Sequence, residues 1–313
     1  MNNLNHHHSH NCFALSLTLG ARLSVRITNA IIRSLKVNDF DYEFAVDLMK
    51  REFPTFRVPS KNDWIFAETT LQIHADNNIY SISILNESYP KSLRMINDPP
   101  PVLFLRGNIN ILKDIPGVSV VGTRKVTKNG GEIARRISSF LAESGWVVVS
   151  GLAIGADACA HRGAIPFYAK TIAVLAHGLD KASPKVNSAL ADDILLNGGA
   201  WVSEHPWGAA AQKEFFVLRN RIQIGLSAGS VIIEGDINSG TSTQVEYCID
   251  SNRKLFAIIP QSAENPLMLF SDGPIYFVNH KGAYPIKSKD DYSTMLELLK
   301  IKKNEILLSE DKC

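Results

Sequence analysis

In GVSVVGTRKVTKNGGEIARRISSFLAESGWVVVSG, Gly117 to Gly151, an apolar run turns on a glycine, passes through a basic segment and enters a helical pattern before a second apolar run. Within the helical pattern Ile133, Ile137, Phe140 and Leu141 fall on one stripe, which would face a sheet. The apolar runs on either side are too short for helices and too uniformly apolar for strands with one wet face, so they read as strands covered on both faces. At the turn, free backbone N–H groups and a helix dipole converge, an arrangement suited to an anion. Arg124, Lys125, Lys128, Arg135 and Arg136 stand there against the single acid Glu132. Arg135 and Arg136 belong either to that patch or to the wet face of an amphipathic helix.

Outward from this unit the alternation continues. TIAVLAHG, AWVSE, SVIIEG and KLFAIIP read as further strands, with helices over GADACAHRGAI, VNSALADDILLNG and TSTQVEYCIDSN. The expected fold is therefore α/β, a doubly wound, mainly parallel sheet. Upstream, FALSLTLGARLSVRITNAIIRSLK and DYEFAVDLMKREF read as helices, and Pro99 to Pro101 exclude a helix or central strand at that point. The expected organisation is a His-rich disordered tail (1–11), a small helical module (12–76), the α/β domain (77–290), and a C-terminal helix with a charged tail (291–313).

In such sheets ligands sit beyond the carboxyl ends of the strands. Gly122 to Arg124, Ser150 to Ala153, His177 to Asp180, Ser203-Glu204, and Glu234 with Ser239 to Thr241 all follow strands, so five strand ends are expected to converge on one crevice. His161, His177 and His205 read as helix-surface or loop residues.

With 313 residues, 45% of them hydrophobic, the chain can bury a large core. A formal net charge of +2 means that capture of a polyanion must come from a local patch. Cys12, Cys159, Cys248 and Cys313 lack the spacing of a zinc site or disulfide framework. No export signal or membrane-spanning run is seen, so a cytoplasmic protein without a membrane partner is expected. His6 to His10 read as a tag remnant or disordered tail rather than a metal site. No P-loop and no G-x-G-x-x-G follow the first strand, and no Ser-His-Asp order or carboxylate pair indicates hydrolysis. No cofactor, metal or catalytic residue is assigned.

In order along the chain, YPKSLRMINDPPPVLFLRG, VSVVGTR, SGLAIGADACAH, TIAVLAHGLDKASPKVNSAL, WVSEHPWG, FFVLRNRIQIGLS and SGTSTQVEYCIDSNRKLFAIIP resemble the motifs of the DNA-processing protein A family, DprA or Smf. The likeness covers roughly residues 77 to 260. It implies an extended Rossmann fold that binds single-stranded DNA without catalysis, protects DNA taken up in natural transformation, loads the recombinase RecA and forms a homodimer. Arg124 takes the place of the family's phosphate-binding arginine, with Gly122 and Thr123 in the same turn. Ser150, Gly151 and Ala153 line the second turn; Lys185, with Asn187 nearby, falls where some members place a DNA-contacting lysine, or is a solvated loop residue. Arg219, Asn220 and Arg221 either bind phosphate at a helix start or, through Asn220, cap the helix and tie loops together. Ser239, Gly240 and Thr241 suit a phosphate nest or a helix N-cap.

The chain departs from the pattern at Thr123, Ala156 and Ser183, lacks a P-G after the last strand, and leaves no room for the C-terminal winged helix of some members. A relative with a different task is one outcome. Alternatives of another class are a phosphoribohydrolase-like enzyme, on the faint likeness of Thr241 and Glu246 to a G-T-x-x-E motif, and a nucleotide sensor in a defence system. Ile237-Asn238-Ser239 in place of a P-G-G speaks against the enzyme.

Overall fold

The computed structural model describes residues 8–167 and 170–309. Four helices come first: α1 (His8–Leu15), α2 (Val25–Ser34), α3 (Tyr42–Glu52) and α4 (Lys61–Asp76). The later helices are α5 (Lys91–Arg94), α6 (Lys128–Glu143), α7 (Ala156–Ala164), α8 (Ser188–Leu196), α9 (Lys213–Leu218), α10 (Asn220–Gly225), α11 (Gly240–Asp250), α12 (Asp272–Lys281) and α13 (Asp291–Leu308). The strands are β1 (Ile79–Ser83), β2 (Val102–Gly107), β3 (Gly117–Val121), β4 (Val148–Ser150), β5 (Thr171–Val174), β6 (Ala200–Ser203), β7 (Ser227–Ile232), β8 (Lys254–Ile258) and β9 (Tyr284–Ile286).

The strands form one sheet in the order β1-β2-β6-β5-β4-β3-β7-β8-β9. From β6 to β9 all neighbours are parallel, while β1 and β2 run antiparallel on one side. The α/β, mainly parallel fold expected from the apolar runs is what the chain adopts. Consecutive residues show why those runs are apolar throughout: Val147 and Val149 enter the core shared with α8, and Val148 enters the core shared with α6 and α13. Of the stripe on α6, Ile137 and Leu141 are fully buried and Ile133 and Phe140 are partly so.

The N-terminal helices share one core with the sheet. Phe13, Ile31, Met49 and Trp64 pack in the same cluster as Leu103, Phe104, Val174 and Val202, so packing is continuous across the boundary expected at residue 77. The expected tail is helical from His8, and His10 is buried edge-on against Phe40 at 5.3 Å. His6, His7 and Cys313 lie outside the described residues. At the other end α13 closes the second core with Met295, Leu299 and Ile306 and is part of the α/β domain rather than an appendage.

From β3 the chain winds through β4, β5 and β6 to one side of the sheet, then returns to β7, β8 and β9 on the other. The switch point lies between β3 and β7, where loops leaving the two strands diverge and open a crevice.

Candidate nucleic-acid crevice

A crevice of about 730 Å³ opens at that switch point. The β3 turn (Gly122 to Lys125) forms one side, α9 with Lys213, Phe216 and Val217 the facing wall, and Ser239, Gly240 and Thr241 the third side; Arg219, Asn220, Gln223 and Gln244 also line it. The β3 turn is anchored by its backbone: Thr123 N–H donates to the Glu234 carbonyl at 2.9 Å, and Thr123 Oγ1 accepts from Lys125 N–H at 3.1 Å. Gly122 fits because a Cβ there would meet Ala156 Cβ at 2.8 Å and the Glu234 backbone. Arg124 leaves this turn exposed, with its guanidinium 5.4 Å from the centre of the Phe216 ring, a distance at which a cation and a ring face attract.

Beneath it Arg219 is buried. Its Nη1 donates to the Val174 carbonyl at 2.5 Å, and Nη2 lies 3.7 Å from Asp157 Oδ2. Asp157 also accepts from the N–H of Gly151 at 3.2 Å and of Ala153 at 3.4 Å. Burial raises the Asp157 carboxyl above its usual range and lowers the Arg219 guanidinium, each partner resisting the shift of the other; an arginine nonetheless keeps its proton. The loop between them is tight: Leu152 has φ +59° and Gly155 φ +87°.

The expected site residues divide into two groups. Gly122, Thr123, Arg124, Ala153, Arg219, Asn220, Ser239, Gly240 and Thr241 line the crevice. Ser150, Gly151, Lys185, Asn187 and Arg221 do not line it. Ser150 is fully buried, its Oγ donating to the Val120 carbonyl at 2.7 Å. Gly151 lies against the Arg219 guanidinium. Asn187 Nδ2 donates to the Leu152 carbonyl at 2.8 Å, a bond that tethers the turn carrying exposed Lys185 to the β4 loop. Arg221 is spent on structure: Nη1 and Nη2 grip both oxygens of Glu204 at 2.6 and 2.5 Å, and Nε donates to the Asp98 carbonyl at 2.8 Å. Burial works against its charge, but Glu204 outweighs burial and the guanidinium pKa is raised. Asn220 ties loops, its Nδ2 donating to the Gly240 carbonyl at 3.4 Å. Ser239 caps α11, its Oγ accepting from Thr241 N–H at 3.3 Å.

Several expectations change or resolve. The strand ends at His177 to Asp180 and Ser203-Glu204 do not line the crevice, because Ser203 Oγ donates to the His177 carbonyl at 2.7 Å and Glu204 holds Arg221. His161 is buried rather than on a helix surface, and His177, in the loop after β5, is buried as well. Arg135 and Arg136 form the wet face of α6, both bonded to Glu132, whose carboxyl the arginine hydrogen bonds bring down to about 2. Glu234 is also a fastener: it accepts from Thr127 N–H, Thr127 Oγ1 and Phe270 N–H at 2.8, 2.7 and 3.1 Å. Glu246 pairs with Lys281 at 2.8 Å and does not line the crevice, which removes the carboxylate on which the phosphoribohydrolase likeness rests. The residues that the sequence did not single out are Phe216, Lys213, Gln223 and Gln244. Phe216 and Lys213 lie on a short helix with no apolar periodicity, Gln223 lies between two isoleucines, and Gln244 follows a run of small polar residues. Among the described residues no cluster of side chains could hold a metal ion, and no helix is long and apolar enough to cross a membrane.

The family model for DNA recombination-mediator protein A matches residues 80–297. The DNA processing protein DprA of Bacillus subtilis is 34% identical over 221 residues, 71% of this chain and 72% of that protein. The solved structure of DNA processing protein A from Streptococcus pneumoniae superposes with a TM-score of 0.69 at 29% identity, covering 90% of this chain and 95% of the other. A Helicobacter pylori DNA processing protein A, solved to describe its single-stranded-DNA binding mode, superposes with a TM-score of 0.62 at 28% identity over 70% of this chain and 96% of the other.

Proposed function

Because the chain belongs to the DNA recombination-mediator protein A family, we propose that it is a DNA-processing protein whose switch-point crevice binds single-stranded DNA. The observation that carries the reading is Arg124 held over the Phe216 ring at the crevice mouth, with Lys125 and Lys213 lining the same opening. An arginine fork takes two phosphate oxygens, and a neighbouring ring face stacks any base, so the pair suits a flexible strand irrespective of sequence. A duplex is too wide and stiff to enter between the β3 turn and α9.

The protein acts by binding rather than catalysis. Glu234 and Asp157, the buried carboxylates beside the crevice, are committed to backbone N–H groups, and neither is left to move a proton. Protection of single strands, delivery of RecA to them, pairing of two copies so that one strand crosses two crevices, and a cytoplasmic site of action belong to the same reading.

The deciding experiment is a titration of single strands of about ten nucleotides or more, the matching duplex, and mononucleotides at several salt concentrations. Preference for single strands, with affinity falling as salt rises and with no need for ATP or metal, is expected. Tight binding of mononucleotides with none of oligomers would overturn the reading.

A further inference from the structure

The short helix α9 stands between two openings. Phe216 lines the crevice, and the residue before it, Phe215, lines a second cavity of about 230 Å³. No residue of α9 is buried. The chain approaches the helix through Gly208, which has φ +76° and open space where a Cβ would stand. With so little packed beneath it, α9 takes its position from what its two phenylalanine rings touch.

The second cavity lies where the N-terminal helices meet the sheet, a kind of junction at which ligand sites concentrate. Leu15, Leu19 and Val25 line one side, and Glu204, His205 and Phe215 the other. The His205 and Phe215 rings stack, with centres 4.1 Å apart and planes inclined by 24°, and give the cavity an aromatic wall. His205 Nε2 is buried without a hydrogen-bond partner among the described residues. Leaving that nitrogen unpaired is costly, and a ligand hydroxyl recovers the cost in either ring tautomer, because a hydroxyl both donates and accepts. An anionic ligand would stand against the Glu204 carboxylate.

We propose that this cavity binds a small neutral phenol, with its ring beside the His205–Phe215 stack and its hydroxyl on His205 Nε2, and that filling the cavity fixes α9 and tightens single-stranded-DNA binding in the crevice. The volume suits one ring, since an apolar cavity of about 150 Å³ accepts benzene. Ordering α9 in advance removes part of the cost of ordering it when a strand binds. The coupling rests on the single-stranded-DNA reading; the site itself does not.

The test uses phenol. Its binding is read first without DNA, as a shift of Tm, and oligothymidylate of about twelve nucleotides is then titrated with and without saturating phenol. A saturable rise in Tm and a gain in strand affinity of about three- to fivefold are expected. Leu19→Trp brings a large ring into the cavity from its partly exposed rim and should abolish both responses. His205→Phe keeps the stack but not the nitrogen; it should weaken phenol binding about five- to tenfold and leave strand affinity without phenol at the wild-type value. No saturable response in the wild type overturns the inference. So does a response that persists in Leu19→Trp, which would place phenol elsewhere, or an undiminished phenol affinity in His205→Phe, which would remove the hydroxyl contact. A Tm response with unchanged strand affinity overturns the coupling. A Tm response in a protein that binds no single strand at all upholds the site, while the function proposed above falls and the coupling with it.

Discussion

The Arg219 guanidinium lies flat against Gly151: a Cβ at that glycine would stand 1.8 Å from Nη1 and 2.1 Å from Cζ. Only a residue without a side chain lets the arginine reach both the Val174 carbonyl and Asp157. Gly151→Ala should therefore push a buried cation off its partners and destabilise the protein by about 2–4 kcal/mol, read from urea unfolding. Gly240→Ala is the control. It has nothing within 4 Å of the added carbon, sits in the first turn of a helix, and should leave the unfolding midpoint nearly unchanged. An equal effect of the two substitutions would mean that the Arg219 packing has no role in stability.

Arg124 stands at the opposite extreme, exposed on a turn held by backbone bonds. Arg124→Ala should leave the fold intact by circular dichroism and weaken single-stranded-DNA binding by about 1–2 kcal/mol, with the slope of log K against log salt falling by roughly one unit. Lysine at 124 should restore the slope but only part of the affinity, because it keeps the charge and loses the fork and the planar contact with Phe216. Normal binding by Arg124→Ala at two salt concentrations would show that the β3 turn does not meet the strand. Lys185 lies outside the crevice lining; Lys185→Ala should shift the slope likewise only where the strand runs on past the β4 loop.

The fold was legible because buried parallel strands advertise themselves: a run such as Val147 to Val149, apolar on consecutive residues and too short for a helix, marks a strand covered on both faces. The crevice was legible in outline, since turns after strands must carry it, but chemistry alone did not sort its arginines. Arg124, Arg219 and Arg221 are indistinguishable as letters. What separates them is the company each keeps: an aromatic ring for Arg124, a buried aspartate for Arg219, a bidentate glutamate for Arg221. Those partners lie far along the chain, and pairing over such separations leaves no local period to read. His8 to Asn11 were misjudged for the same reason, their polar letters concealing a helix that the core beneath it holds in place.

For Arg221 the company predicts an asymmetry. Arg221→Met strands the Glu204 carboxylate beside His205 and Phe215 and should cost about 3–5 kcal/mol of stability. Adding Glu204→Leu removes the stranded charge, so the double variant should be more stable than Arg221→Met alone. Unfolding that shows the two losses simply summing would contradict the buried pair. Single-stranded-DNA binding by whatever fraction remains folded should match wild type.

The histidines predict the response to acid. His74 Nε2 accepts the Trp207 N–H at 2.9 Å, and Nδ1 lies 3.2 Å from Ser81 Oγ, so a proton added at Nε2 would face another N–H. Burial lowers its pKa to about 4, and burial, followed by Arg219 and Arg162, lowers that of His161 to about 3. Both ring pKa values are below the unfolded value of about 6.5, so as pH falls the unfolded chain takes up protons first. Stability is then full above pH 6.5 and drops by about 1.4 kcal/mol per pH unit for each histidine, down to about pH 4 for His74 and about pH 3 for His161. Asp157, whose carboxyl burial raises, acts in the opposite sense, regaining stability as pH falls through its raised pKa toward the ordinary carboxylate range. Between pH 7 and pH 5, where few carboxylates titrate, the histidine effect should dominate. His74→Gln retains an oxygen to accept from Trp207 and an amide to reach Ser81, yet cannot take up a proton. Its loss of stability from pH 7 to pH 5 should be smaller than the wild-type loss by about 2 kcal/mol. Urea midpoints at the two pH values measure this difference directly, and parallel losses in variant and wild type would place the acid sensitivity elsewhere in the chain.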